Sequence, residues 1–202
     1  MTRTAGHIDR SKIHAVTWAI AAVAAISFAL LVYPYVASNV LLYKGVLAVE
    51  RSQRARTESS RVSALNEAAD TLEQSVRLRR SNWRARYLLA GVLVDLADYQ
   101  ARNGRPGDAV LLAKRAIKRF PNMVDAYVSL GLLYENLGRL DLAENAYRRG
   151  LSVSLRLQRG VPESETPLVM MPPARLKEIL ARLLAKQGRT GEAAGRRSPA
   201  RH

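Results

Sequence analysis

Two stretches of this chain, QARNGRPGDAVLLAKRAI (residues 100–117) and LYENLGRLDLAENAYRRGL (residues 133–151), align at an offset of 34 residues. Setting Gly138 over Gly104 puts Arg139 on Arg105, Ala143 on Ala109, Ala146 on Leu112, Gly150 on Ala116 and Leu151 on Ile117. A period of that length, carried by two amphipathic helices pinched at a glycine, is the mark of a helical solenoid, in which each unit buries its apolar face against its neighbours. The residue types fit their places. Glycine at the turn can take the left-handed conformation that ends the first helix of a unit. Ala109 and Ala143 let the second helix approach the first closely, and the small residues at 116 and 150 do the same one face further on. The second copy adds Tyr127, Leu130, Gly131 and Tyr134, which share one helical face. Pro121 separates the two units, and Asn122 is placed to cap the helix that follows.

These residues resemble the tetratricopeptide repeat. Its pattern of aromatic, Leu-Gly, Tyr, Ala, aromatic, Ala and Pro is met by Tyr127, Leu130-Gly131, Tyr134, Ala143, Tyr147 and Gly150. The first copy is looser, with Leu93, Leu96-Ala97, Gln100, Ala109, Ala113, Ala116 and Pro121. Gln100 and Ala113 replace large residues there, so that copy is expected to pack differently. A third turn, LLAKQGRTGEAA (residues 183–194), carries Gly188 and Ala193 and lies 50 residues after Gly138, which leaves about 16 inserted residues. Upstream, NEAADTLEQSVRLRRSN reads as the second helix of a further unit, whose first helix could be NVLLYKGVLAVERSQ. The resemblance covers roughly residues 39–194. It implies an all-α fold, with about two clear and two partial repeats forming a short solenoid.

Ahead of the repeats, no Lys, Arg, Asp or Glu falls between Lys12 and Lys44. The 20-residue run Ile13–Val32 is long enough, at ~1.5 Å per residue, to cross a hydrocarbon core of ~30 Å. Tyr33 and Tyr35 follow where interfacial aromatics belong, with Pro34 between them able to kink the helix. A core helix of this length would normally show a polar face, and this one offers only His14, Thr17 and Ser27. The sequence VAS at 36–38 is a passable signal-peptidase site, but the apolar run is too long for a typical cleaved signal. An uncleaved anchor is therefore expected. Arg3, Arg10 and Lys12 precede the span and Lys44, Arg51, Arg54 and Arg56 follow it, so charge bias does not decide orientation. The short basic tail against the span favours export of the C-terminal part, with the repeats periplasmic or otherwise extracytoplasmic.

The expected organisation is an N-terminal tail (1–12), a transmembrane anchor (13–35), a helical connector (36–57), the repeat region (58–194) and a basic disordered tail (195–202). A proline-rich insertion at 160–173 interrupts the repeats. Helices are expected near 60–79, 82–103, 107–119, 123–137 and 140–156. Within the insertion, PLVMMPP (167–173) is too apolar for a free loop and is expected to pack on the repeats, with docking of a partner as the alternative.

Composition narrows the chemistry. The chain has no cysteine, and its histidines are His7, His14 and His202, all near the termini. The middle therefore cannot build a thiolate or histidine zinc site or a histidine-based triad. No cofactor is expected, and catalysis is the least favoured function; a metal-free carboxylate pair, Asp95 and Asp98, is what remains for it. The net charge of +15 suggests a polyanion partner, yet arginine is spread along the whole chain with alanine and leucine, as a GC-rich genome would produce. Aromatic residues are only 6% of the chain, and the basic runs RLRRSNWRAR (77–86) and AKRAIKRF (113–120) hold one each, too few for base stacking, which argues against nucleic acid. Lys114, Arg115, Lys118 and Arg119 read as a solvent-facing stripe, with anionic lipid headgroups as a further option.

The resemblance places a partner groove on the first helices of the units. It carries over to Val94, Asp95, Asp98 and Arg102 in one copy and to Asp125, Val128, Ser129, Leu132, Glu135 and Asn136 in the next. Four acids beside apolar neighbours would suit a basic or neutral peptide or helix. The expected function is a membrane-anchored scaffold for protein partners. The alternatives are an accessory subunit whose span makes the key contacts in a larger membrane complex, or a basic module binding polyanions or anionic lipid.

Overall fold

The computed structural model describes residues 10–160 and 171–188. Among them the regular elements are seven α-helices: α1 (Arg10–Arg54), α2 (Glu58–Leu78), α3 (Trp83–Arg102), α4 (Pro106–Arg119), α5 (Val124–Asn136), α6 (Leu140–Gly160) and α7 (Pro173–Lys186). The helices pair in chain order as α1/α2, α3/α4 and α5/α6, and α7 lies against α6. The first helices of successive units also touch, α1 against α3 and α3 against α5, so they line a common face. That is the expected all-α solenoid.

The turn glycines behave alike. Gly104, Gly138 and Gly188 have φ of 72°, 69° and 71°, in the left-handed region that favours glycine. At the first two turns the same pair of hydrogen bonds closes the helix end. Arg105 N donates to Gln100 O (2.9 Å) and Gly104 N to Ala101 O (3.2 Å), while Arg139 N donates to Tyr134 O (2.8 Å) and Gly138 N to Glu135 O (2.9 Å). This Schellman arrangement satisfies carbonyls that the helix end would otherwise orphan.

Helix starts differ from one another. Thr57 caps α2 by accepting from Ser60 N (3.3 Å), and Asn82 caps α3 by accepting from Ala85 N (3.2 Å). Asn122 does not cap α5. The N-cap is Met123, without a side-chain bond, because Met123 N donates to Phe120 O (3.1 Å) and this turn leaves Asn122 exposed at its tip, one residue early.

Each second helix presents three fully or nearly buried positions at the same spacing: Ala68, Leu72 and Ser75 on α2, Ala109, Ala113 and Ala116 on α4, Ala143, Tyr147 and Gly150 on α6. They feed two core clusters. One joins α1, α2, α3 and Ala116 near the end of α4 to the start of α5, and the other joins Ala97 of α3 and the first half of α4 to α5, α6 and α7. Leu112 and Ile117 of α4 pack against both, so burial is continuous from one unit to the next.

Helix α1 is a single element with two environments. Pro34 lies inside it, and the helix continues through. Residues from Thr17 onward include an apolar 18-residue window with 0 % of its residues buried. The same helix then enters the core, where Ser38 and Ala48 are fully buried. Residues 38–54 thus pack along α2 as the first helix of a unit. At the other end, Met171 packs on the core and its carbonyl accepts from Ser154 Oγ (3.1 Å). The rest of PLVMMPP up to residue 170, Ala193 and the basic tail lie outside the described residues.

The expected solvent-facing stripe on α4 is in part a helix-to-helix tie. Arg115 and Arg119 both reach the Glu73 carboxylate on α2, Arg115 at 3.2 Å, and Lys114 sits 5.9 Å over the Tyr134 ring. Only Lys118 of the four has no contact of this kind among the described residues.

Candidate partner groove

The face shared by α3 and α5 holds the ten residues that the repeat pattern singled out. On α3, Asp95, Asp98 and Arg102 are exposed and Val94 is half-buried. On α5, Leu132 and Asn136 are exposed, Asp125 is half-buried, and Val128 and Ser129 are buried. The two helices are stitched across this face by Ser129 Oγ, which donates to Asp98 Oδ1 (3.1 Å). Val128 belongs to the apolar core and offers a partner no free surface.

Charges on this face are interleaved. Arg102 donates to Glu58 Oε1 at the start of α2 (3.2 Å). Glu135 is largely committed within the fold: its side chain is 8 % exposed, Tyr147 Oη donates to it (2.7 Å) and Lys186 Nζ on α7 reaches it (3.0 Å). Burial alone would raise its carboxyl, but the Tyr147 and Lys186 hydrogen bonds, with the charges of Lys186 and Arg182, hold it below its ordinary value. Tyr147 is pushed up in turn, first by burial and then by the Glu135 carboxylate.

Asp95 and Asp125 go the other way. Burial raises the Asp125 carboxyl. For Asp95 the same cause dominates, Arg61 offsets part of it and Asp98 adds to it. Asp95 is exposed as a residue, yet it stands at the wall of a cleft of about 340 Å³ where protein displaces solvent from its carboxyl. Ser52, Arg56, Thr57, Glu58 and Arg61 complete that wall, so the cleft lies between the α1–α2 turn and α3. Of the four acids on this face, Asp95, Asp98 and Asp125 have no cation at ion-pair distance among the described residues. A second cleft of about 350 Å³ opens between α4 and α6 over α5, with Lys114, Tyr127, Tyr134, Leu142 and Arg149 in its lining.

Sequence reasoning did not find the residues that join α1 to the repeats. Ser38 Oγ lies 3.1 Å from Ser75 O and 3.0 Å from Ser75 Oγ, Ser75 Oγ donates to Ser38 O (2.8 Å), and Asn82 Nδ2 donates to Ser38 Oγ (3.0 Å). The available signal was Ser75, which stands in α2 where Ala116 and Gly150 stand in α4 and α6.

No curated protein matches the sequence. Among solved structures, a crystal structure of MamA is similar at 20 % identity and TM-score 0.44, covering 78 % of this chain and 72 % of that one. BtubC from P. vanneervenii is similar at 16 % identity and TM-score 0.42, covering 78 % and 75 %. A family model, the tetratricopeptide repeat, matches residues 94–156, which span the α3/α4 and α5/α6 pairs from the groove-facing Val94 onward. With the left-handed turn glycines and the buried small residues of the second helices, that match places residues 94–156 in the tetratricopeptide repeat family.

Proposed function

We propose that this chain is a membrane-anchored adaptor, whose helix α1 crosses a bilayer and whose repeats gather protein partners beside it. One observation carries the anchoring. Among the described residues none of the apolar window of α1 is buried, whereas the same helix from Ser38 onward is built into the repeats. Trp18, Ile20, Phe28, Leu30 and Leu31 are each at least 60 % exposed, an apolar surface that water would penalise heavily. A cleaved signal fits this arrangement poorly. Cleavage at Val36-Ala37-Ser38 would cut the helix where Ser38 is hydrogen-bonded to Ser75 and Asn82.

Solenoids present extended surfaces rather than reaction centres. The partner surface in this reading is the α3/α5 face, with Asp95, Asp98 and Asp125 as the acids available to a basic segment and Val94, Leu132 and Asn136 beside them. The orientation in this reading puts the repeats outside the cytoplasm. Alkaline carbonate extraction tests the anchor, and photo-crosslinkers at positions 95, 98 and 132 test the face. The expected result is retention in the carbonate-resistant fraction and adducts from these positions but not from Lys118. Release by carbonate, or adducts from position 118 alone, would overturn the respective half. An alkaline phosphatase fused after His202 should be active, and a fluorescent cytoplasmic reporter there should be dark.

A further inference from the structure

Resting on the anchor reading, we propose a second membrane contact: the α2–α3 corner binds the anionic phospholipid headgroups of the bilayer that α1 crosses. Residues 77–86, RLRRSNWRAR, carry five arginines, and no acid occurs between Glu73 and Asp95. The fold brings this run to the end of the apolar segment. Asn82 binds Ser38 Oγ at 3.0 Å, and the Arg79 guanidinium lies 4.4 Å over the Tyr35 ring. Asn82 also caps α3, so the corner is fixed to α1 by a buried side chain with two roles.

The depth matches a headgroup layer. If the hydrocarbon ends near Val32, Tyr35 stands roughly 4.5 Å and Ser38 roughly 9 Å further along the helix. The polar layer on each side of a ~30 Å hydrocarbon core is roughly 5 to 7 Å thick. Tyr35 and the Arg79 guanidinium over it therefore fall within that layer, and the Asn82 attachment of the corner at its outer edge. Trp83 is 57 % exposed and Leu78 41 % exposed, an aromatic and an apolar side chain where bilayer interfaces favour them. Arg84 lies 5.5 Å over the Trp83 ring, and Arg77, Arg80 and Arg84 are exposed.

The charges at the corner are also unspent. Arg51, Arg102, Arg115 and Arg119 each pair with a glutamate from another helix, and the last two share Glu73, one turn from the corner. Among the described residues, none of the five corner arginines has a carboxylate within ion-pair distance. A concentrated, unpaired basic cluster with an exposed tryptophan beside a span is the chemistry that recognises anionic lipid.

The test uses the full chain with Trp18→Phe, which leaves Trp83 as its one tryptophan. The protein is reconstituted into phosphatidylcholine vesicles with or without phosphatidylglycerol. In the anionic vesicles Trp83 emission should shift to the blue and be quenched by a spin label near the glycerol level. High salt should reverse both changes, and pure phosphatidylcholine should leave Trp83 open to acrylamide. Arg77→Gln, Arg80→Gln and Arg84→Gln together should raise the phosphatidylglycerol fraction needed for shielding severalfold at unchanged helicity; Arg79 is kept because it stacks on Tyr35. Equal Trp83 accessibility in the two vesicle types would overturn the proposal. So would soluble glycerol phosphate producing the same shift, since the site would then bind a free anion rather than a membrane. A carbonate wash separates the two readings: a chain stripped from both vesicle types removes the anchor, whereas a retained chain with Trp83 open removes only the corner.

Discussion

Between α5 and α6 a glycine faces a tyrosine: a Cβ on Gly131 would overlap the Tyr147 ring at Cε1. Between α3 and α4 the equivalent positions, again 16 residues apart, are Ala97 and Ala113, both fully buried. The α1/α2 pair uses the first solution, since a Cβ on Gly45 would stand 2.6 Å from Leu72. Close packing explains why both solutions work: a large side chain on the second helix demands a hollow on the first, and two small ones fit face to face without a hollow. Ala113, which departs from the repeat pattern as a lone residue, is therefore one half of a matched pair. The joint conserves the fit between its two sides rather than the identity or the summed volume of the residues.

The largest expected effect follows from removing the bulk where the hollow depends on it. Tyr147→Ala should cost about 3 to 5 kcal/mol, because it opens a cavity against Gly131 and deprives Glu135 of its hydroxyl donor. Ala113→Gly at the equivalent place should cost only about 1 kcal/mol. Urea melts of the chain from residue 38 would show the difference; starting later would remove Ala48 and Gly45 from the core. Equal losses at the two sites would end the comparison.

A swap sharpens it. Ala113→Tyr alone should overpack the α3/α4 joint by about 1 to 3 kcal/mol. Adding Ala97→Gly recreates the α5/α6 pairing, and the double variant should recover at least about 0.5 kcal/mol relative to the sum of the singles. A strictly additive pair would mean that the two alanines do not share one space.

The turns should respond alike where the joints do not. Gly104→Ala and Gly138→Ala each place a Cβ at positive φ with open space around it, so the cost is backbone strain of about 1 to 2 kcal/mol at both sites. Gly107, inside α4 with nothing near its Cβ position, is the control: Gly107→Ala should stabilise by up to about 1 kcal/mol. A melt in which Gly104 and Gly138 variants differ by more than that would break the equivalence of the two turns.

These turns were also the most legible part of the sequence, because a left-handed helix end leaves glycine almost no substitute. The paired helices from α2 to α5 follow the expected limits within two residues, and α6 runs four residues further, to Gly160. The first unit was harder to read. Its triplet Ala68, Leu72, Ser75 precedes Ala109, Ala113, Ala116 by 41 residues rather than 34, because α3 has 20 residues where α5 has 13. A fixed-period search passes over it. Groove positions on α3 and α5 were legible by register, but their charge state was not. Glu135 meets Lys186 and Arg115 meets Glu73 across 51 and 42 residues, and only packing brings them together. The same holds for Ser38, Ser75 and Asn82, three ordinary polar residues until α1 is laid on α2.

The smallest effect separates the two acids of α5. Glu135 has a folded value below its ordinary 4.5, so its contribution is complete above that value and is lost as the pH falls through the folded one. Glu135→Gln should thus be less stable than the parent at neutral pH, with the gap closing on acidification. Lys186 is more than half exposed, which limits the ion pair to less than ~1 kcal/mol. Asp125 has a folded value raised above its ordinary 3.8, so its charge opposes folding in full above the folded value and ceases to do so below the unfolded one. Asp125→Asn should therefore be slightly more stable than the parent at neutral pH, and that gap should close in the same acidic range with the opposite sign. Urea midpoints at neutral pH and near pH 3 decide it. Two variants shifting in the same direction would mean that burial, and not the Lys186 contact, governs both acids.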